Sequence, residues 1–501
     1  MRKQIGKILV ANRGEIALRI MRTIREMGKS SVAVYSDVDV RMPFVRYADE
    51  AYPLNGKEAR ETYLDIGKII SIARKSGADA IHPGYGFLSE NSEFAAEVEN
   101  AGLVFIGPKA DTIKAMGDKT EARETVGKQG VPIVPGVSKP VETLTEAMEI
   151  AKRVGYPILI KAAAGGGGKG MRLVREESEL EAGLRGAHSE ALSAFADDRV
   201  FIEKYIINPR HIEFQVLADN YGNTVHLFER ECSIQRRHQK VVEETPSVAL
   251  TPELREKMGR SAVSAAKSCG YRNAGTVEFV LGEDGSYYFL EMNTRLQVEH
   301  PITELTTGLD IVREQINIAE ERKLEITQDH LARRGHSIEC RIYAEDVVNN
   351  FLPDTGRLEL IREPVGNNVR VDSGVETGNE ISVYYDPMIA KLSVWETTRD
   401  LAIQKMVRAL DDYVISGVKT TIPFCRYVLE SDDFRKGKYS TSFVEKNWVN
   451  NGSASSALSR RGMEDALILA SYKLTSGSVA GKNGHVAVMK TSEWLKGRFE
   501  S

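Results

Sequence analysis

The sequence predicts a mixed fold: an α/β unit with a parallel sheet, followed by α+β units built on antiparallel strands. Three observations carry this. Strand-length apolar runs alternate with helically spaced ones over residues 7–107. From about residue 118 strands follow one another with few helices between them. Two apolar-rich runs flank Asp284-Gly285, a two-residue hairpin signal. At 501 residues the chain exceeds a single core, so roughly two to four domains are expected.

Residues 7–11 read as a buried strand, and Ile16, Ile20, Met21, Ile24 and Met27 then recur at helical spacing. Residues 31–36 form a second strand. Tyr63, Ile66, Ile69, Ile70 and Ala73 mark a helix, residues 78–82 a strand, Phe94, Ala95 and Val98 a helix, and residues 103–107 a strand. Strands alternating with helices imply a doubly wound parallel sheet. The first turn, Ala11-Asn12-Arg13-Gly14-Glu15, lacks Gly-x-Gly-x-x-Gly, so a dinucleotide site is not supported. Further on, residues 156–162, 171–174, 200–206 and 211–217 read as strands and 252–268 as a helix. Residues 336–446 form another mixed segment, and the chain turns polar after Lys446.

The hairpin of residues 275–293 is the most informative stretch. Folded on Asp284-Gly285, it sets Glu283 against Ser286, Glu278 against Glu291 and Thr276 against Asn293. Strand alternation then puts Glu278, Glu291 and Asn293 on one face. Val277, Phe279, Leu281, Tyr288, Leu290 and Met292 take the other. The two carboxylates would lie roughly 5 Å apart. Their repulsion, about 3 kcal/mol at an effective dielectric near 20, is removed by a hard dication. Mg²⁺ suits such a set, with an amide oxygen and phosphate oxygens completing it. The alternative is a hairpin with one solvated, charged face.

Composition excludes several classes. A net charge of −4 argues against a nucleic-acid partner. The four cysteines (Cys232, Cys269, Cys340, Cys425) are scattered, which fits a reducing compartment and gives no zinc signature. No apolar run approaches the length of a membrane span, and the cytoplasm is the expected location.

Four other stretches could carry chemistry. Gly165-Gly166-Gly167-Gly168-Lys169-Gly170 is not a P-loop, because the spacing fails and strands flank it on both sides. Its backbone could approach a polyphosphate and act as a lid, or it could be a linker. Lys161 ends the preceding strand, and Lys119 follows Gly117-Asp118. His82-Pro83-Gly84-Tyr85-Gly86 sits at a strand's carboxyl end, where open sheets place ligands, or is a plain turn. Residues 235–240 are strongly basic and have Glu229, Glu231, Glu243 and Glu244 nearby: a solvated loop or a mixed-charge site. Arg295, Gln297, Glu299 and His300 follow the hairpin closely, and a carboxylate beside an arginine and a metal can serve as a base. Arg341 falls in a predicted strand.

Ala11-Asn12-Arg13-Gly14-Glu15-Ile16-Ala17, residues 82–90, 165–171, 235–244 and the Glu291-to-Pro301 string together resemble the biotin carboxylase family of ATP-grasp enzymes, over about residues 3–446. Ala164 departs slightly, standing where many relatives have glycine. The resemblance implies a Rossmann-like N-terminal domain (1–115), an ATP-grasp domain (116–332, lid about 132–204), a mixed α+β C-terminal domain (335–446) and a tail (447–501) that docks a partner or frays. It implies that ATP activates bicarbonate as carboxyphosphate, which then carboxylates biotin. By the same resemblance, Lys119, Lys161, Gly167, Gly168, His211 and His238 serve the ATP phosphates and their surroundings, and Glu203, Lys204, Tyr205 and Ile206 the adenine. Glu278, Glu291 and Asn293 hold Mg²⁺ or Mn²⁺. Lys240, Arg295, Gln297 and Val298 hold bicarbonate, Glu299 is the base, and Arg341 with Tyr85 serves biotin and carboxyphosphate.

Ala487-Val488-Met489-Lys490 only echoes a biotinylation site. The expectation is therefore a subunit that works with a separate biotin carboxyl carrier protein and a carboxyltransferase, as a homodimer, in an acetyl-CoA or other acyl-CoA carboxylase or, as the second reading, a pyruvate carboxylase. Another ATP-grasp ligase, acting on an amine, and a silent scaffold are the competing readings. The intact Lys161, Glu278, Glu291, Arg295 and Glu299 argue against the scaffold.

Overall fold

The computed structural model describes residues 4–137, 140–162, 171–195, 198–237 and 239–449. Gly167, Gly168, His238, the 487–490 echo and the tail from residue 450 lie outside the described residues.

The N-terminal unit is a five-stranded parallel sheet. Its strands are β1 (Lys7–Val10), β2 (Ser30–Tyr35), β3 (Glu50–Pro53), β4 (Ala80–His82) and β5 (Val104–Phe105), in the spatial order β3-β2-β1-β4-β5. The near-continuous apolar runs have the physical cause anticipated: both faces are covered. Ile8 and Val10 pack into one core with Ile16, Ile20 and Ile24 of helix α1 (Gly14–Glu26), while Leu9 and Val32 pack into another with Ile69, Ala73 and Phe94. Strand β3 is not legible in the pattern; it is a half-exposed edge strand, so its apolar signal is diluted.

A three-stranded antiparallel sheet follows, with β7 (Met171–Val174) and β8 (Val200–Lys204) on either side of β6 (Ile158–Ala162). Beyond it lies a single eight-stranded antiparallel sheet. It contains β9 (Arg210–Ala218), β10 (Thr224–Arg236), β11 (Gln239–Thr245), β12 (Asn273–Leu281), β13 (Tyr287–Asn293), β14 (His336–Tyr343) and the strands Met388–Glu396 and Val369–Ser373. The order is β13-β12-β9-β10-β11-β14, then Met388–Glu396, then Val369–Ser373. Pairing of Thr245 with Ser337 joins the central strands to the later ones without a break.

The 235–240 stretch is not a loop. It is the tip of the β10–β11 hairpin, where Arg236 pairs with Gln239 and Arg237 takes a left-handed backbone (φ +50°). Helix Pro252–Ser268, capped by Thr251 accepting from the Leu254 N–H, packs against β9, β10 and β12.

The β12–β13 hairpin has the anticipated register where it matters: Thr276 faces Asn293, Val277 faces Met292 and Glu278 faces Glu291. Nearer the tip the anticipated register is off by one, because Leu281 pairs with Tyr287 and Phe279 with Phe289. The turn is longer than two residues, with the Gly282 N–H bonded to the Ser286 carbonyl. A bulge beside Leu290 absorbs the extra residue. As a result Tyr287 and Phe289, not Tyr288 and Leu290, join Val277, Phe279, Leu281 and Met292 in the helix-backed core. Leu290 turns to the cleft instead.

Candidate active site

A cavity of about 1130 Å³ opens between the parallel sheet and the eight-stranded one. It is lined by Tyr85, Lys119, Lys161, His211, Lys240, Glu278, Glu291, Asn293, Arg295, Gln297, Val298 and Arg341. An adjoining cavity of about 680 Å³ shares Lys161, His211 and Leu290 and adds Glu203, Lys204, Tyr205 and Ile206. Sites read from distant parts of the sequence thus converge on one continuous cleft.

Local structure explains each placement. Asn12, just past β1, donates from Nδ2 to the Pro83 and Tyr85 carbonyls at 2.7 and 2.8 Å, which holds the Pro/Gly turn after β4 and sets Tyr85 at the cleft wall. Gly84 (φ +65°) lets Asn12 come this close, since a Cβ there would lie 2.9 Å from Asn12 Nδ2. Asp118 caps the helix Lys119–Gly127 by accepting from the Thr120 and Glu121 N–H groups. Lys119 is therefore the first helical residue; it is 76% exposed and 3.5 Å from Glu291.

Lys240 is the hub. Its ammonium donates to Glu213 Oε2 (2.5 Å), Glu278 Oε1 (2.9 Å) and Glu299 Oε1 (2.8 Å). Burial opposes its charge, but the three carboxylates hold its pKa well above the ordinary value. Arg341 bridges two acids, Nε to Glu243 Oε1 at 2.6 Å and Nη2 to Glu299 Oε2 at 2.9 Å. Burial pushes the Glu299 carboxyl up; Lys240, Arg341 and Arg230 outweigh it and hold it well below the usual range. Burial and the neighbouring Glu299 charge push the Glu213 carboxyl up, while Lys240 and Arg230 pull it back. Fully buried Arg230 ties Glu213 into the sheet, with Nε to Oε1 at 2.5 Å.

At the hairpin, Asn293 Nδ2 and Gln297 Nε2 donate to Glu278 Oε1 at 2.8 and 3.1 Å, and His211 Nε2 lies 2.9 Å from Glu278 Oε2. Burial would raise Glu278, yet Lys240 and His211 keep it ionised far below the usual range. Glu291, opposite, is 38% exposed and turned into the same cavity. The two acids are not splayed to opposite sides of the ribbon. Arg295 donates to Glu90 Oε2 (2.9 Å), Gln297 Oε1 (2.7 Å) and Asn293 Oδ1 (2.9 Å), so its guanidinium is fixed in the cavity wall.

Two of the expected adenine residues have other partners. Lys161 and Arg123 both bond the Glu203 carboxylate, and Lys204 Nζ donates to the Gly155 and Tyr156 carbonyls at 2.8 and 3.0 Å. Tyr205 and Ile206 line the second cavity beside apolar Leu159, Phe279 and Val280.

Sequence reasoning missed Glu213, Glu90 and Arg230. For Glu213 a signal existed: His211-Ile212-Glu213-Phe214-Gln215-Val216 alternates strictly, and its polar face is the one that meets Lys240. Glu90 pairs with Arg295 across 205 residues of chain, which no local pattern announces.

Models for the N-terminal domain of biotin carboxylase match residues 4–113, for the ATP-binding domain of the carbamoyl-phosphate synthase L chain residues 118–327, and for the biotin carboxylase C-terminal domain residues 339–446. A pyruvate carboxylase subunit from Methanothermobacter thermautotrophicus is 54% identical over 88% of this chain and 90% of its own. Biotin carboxylase 1 of Bacillus subtilis is 51% identical over 88% and 98%. A crystal structure of the biotin carboxylase domain dimer of Hydrogenobacter thermophilus 2-oxoglutarate carboxylase, in complex with MgADP, ADP and bicarbonate, is similar at a TM-score of 0.81 and 49% identity, covering 89% of this chain and 98% of that one. Fold and cleft together define an ATP-grasp ligase. Within that class the chain belongs to the biotin carboxylase family, whose members carboxylate biotin.

Proposed function

We propose that the chain carboxylates biotin carried on a separate carrier protein, using bicarbonate and ATP through carboxyphosphate. One observation carries this reading: Lys240 and Arg341 line the same cavity as the Glu278–Glu291 pair and both grip buried Glu299 just behind its wall, so anion-binding cations, a base and a phosphate-side acid pair meet at one place.

ATP lies along the joined cavities, its base against Tyr205, Ile206 and Leu290 and its phosphates toward Lys161, Lys119 and His211. Glu278 and Glu291 are hard oxygen donors facing one another across the ribbon, and Asn293 Oδ1, held by Arg295, is a third oxygen for a set that would hold Mg²⁺ or Mn²⁺. When bound, the metal offsets charge on the transferred phosphoryl group. Lys240, Arg295, Gln297 and the Val298 backbone hold bicarbonate, and Arg341 with Tyr85 receives biotin. Glu299 takes the bicarbonate proton. A carboxylate held far down is always ionised but weakly basic. The incoming anion draws Lys240 and Arg341 toward itself, loosens their hold on Glu299, and makes it a better base at the moment it is needed.

The final acceptor is selected by a carboxyltransferase, not by this cleft: relatives named for pyruvate and for 2-oxoglutarate carboxylation share the fold at about half identity. A dimer is the working assembly, in keeping with the related domain dimer. The test is ADP release with free biotin as acceptor. Release that requires both bicarbonate and biotin supports the reading. Release that requires an amine instead, or no turnover at all, overturns it.

A further inference from the structure

Lys391 lies in the middle of the strand Met388–Glu396 and is 0% exposed. A fully buried lysine is rare and costly unless its charge is met. Its register partners are Arg341 on β14 and Asp372 on Val369–Ser373. Asp372 is already taken by Arg370, with Nη2 to Oδ2 at 2.8 Å. The Lys391 ammonium instead reaches across the sheet, donating to the Val298 carbonyl at 2.8 Å and standing 3.2 Å from Glu15 Oε1. Glu15, in the first turn of α1, also accepts from the Tyr85 hydroxyl, and the same ammonium sits 5.7 Å above the Tyr85 ring. The approach is tight: a Cβ on Gly374 would fall 2.4 Å from the Glu15 nitrogen. Glu15 Oε2 is buried and has no partner among the described residues. Burial pushes the Glu15 carboxyl up, and Lys391 is the strongest group pulling it back.

We propose that Lys391 is a positioning residue for biotin carboxylation: from beneath the cleft it clamps the Val298–Glu299 peptide and, through Glu15, the Tyr85 side chain, so that the bicarbonate side and the biotin side of the cavity are set by one buried cation. The physical reason is simple. A peptide is a rigid plane, so holding its carbonyl sets where the next Cα, here that of Glu299, begins. The proposal rests on the reading of Val298, Glu299 and Tyr85 given above. Nothing in it touches the nucleotide end, where Lys119, Lys161 and Glu291 stand on other elements.

The test replaces the donor and keeps the stem, Lys391→Met, in the full chain, measured well below its own melting temperature. The expected result is a kcat for biotin-dependent ADP release roughly tenfold to a hundredfold lower, as misplacement of a reacting group by an ångström produces. KM for ATP should stay within about twofold, since the nucleotide contacts are unchanged. Lys391→Arg, which restores a buried donor and charge, should recover part of the lost kcat. If Lys391→Met does not fold, Glu15→Gln carries the same reading: a several-fold loss of kcat with KM for ATP held. A folded Lys391→Met or Glu15→Gln enzyme with unaltered kcat overturns the proposal, as does a rise in KM for ATP that matches the loss in kcat. Glu299→Gln run alongside separates the two claims: if it too is fully active, the assignment of Glu299 has failed; if it is inactive while Lys391→Met is not, only the clamp has.

Discussion

Glu243 and Glu244 are neighbours on β11, equally buried, and chemically identical, yet the fold treats them in opposite ways. Glu244 faces away from the cleft and is fully matched. His336 Nε2 lies at 2.7 Å, Arg399 donates at 2.7 and 3.0 Å, and the Tyr439 hydroxyl bonds it as well. Burial alone would raise its pKa, but these partners bring it down to about 2. Glu243 faces the other way, toward Arg341 of the cleft wall. Arg341 reaches one oxygen, the other has no partner among the described residues, and burial with the nearby Glu299 charge pushes the carboxyl up to about 7. Glu244 is therefore satisfied and tied into the fold, while Glu243, buried to the same degree, is left one partner short.

Three variants sharpen or break this contrast. The largest effect should come from Lys240→Met, which strips the common cation from Glu213, Glu278 and Glu299. Steady-state turnover should fall by about a hundredfold or more, with a smaller loss of melting temperature than on the opposite face, because Arg230, Arg341 and His211 still meet the three carboxylates. A variant with near-normal turnover would show that the hub is structural.

Next is Glu244→Gln, which leaves Arg399 and His336 without their acid. Chemical denaturation should report a loss of about 3–5 kcal/mol, while kcat at low temperature stays unchanged. The sign with pH follows from its depressed pKa. The stabilisation by Glu244 is fully present above the unfolded value near 4.5 and is lost as pH falls toward about 2, so the deficit of the variant should shrink across that window. A deficit that does not change with pH would break the assignment.

The smallest effect belongs to Glu243→Gln. Between about pH 4.5 and 7 the folded chain keeps a proton on Glu243 that the unfolded chain has released, so this group makes stability fall as pH rises through that range. The variant should gain on the parent by on the order of 1–3 kcal/mol from pH 4.5 to 7 and run parallel above it. Parallel curves throughout would place the proton elsewhere.

How legible was all this in the chain? The β12–β13 hairpin shows both what could be read and what could not. That Glu278 opposes Glu291 follows from the hairpin signal and strand alternation, although the longer turn keeps that register only because the bulge at Leu290 offsets it. The inversion of Tyr288 and Leu290 does not, because a bulge is a tertiary compromise between turn length and sheet register. Likewise the alternation of helix and strand announces the parallel sheet, whereas the half-exposed β3 carries too weak a pattern to find. The basic 235–240 stretch shows the same limit. Charge density alone reads as a loop, and only pairing of β10 with β11 makes it a hairpin that delivers Lys240 to three acids.

Local pattern is enough to specify the strands and helices of the parallel sheet and the acid pair on the hairpin, because periodicity and turn chemistry act over a few residues, while the class of cleft came from the resemblance. The order of the eight strands, the partnership of Glu90 with Arg295, and the meeting of Lys391 with Val298 and Glu15 come only from three-dimensional packing. Those contacts join residues tens to hundreds of positions apart. Their energies depend on burial and on which face of a strand each side chain takes, and neither is present until the sheets are assembled.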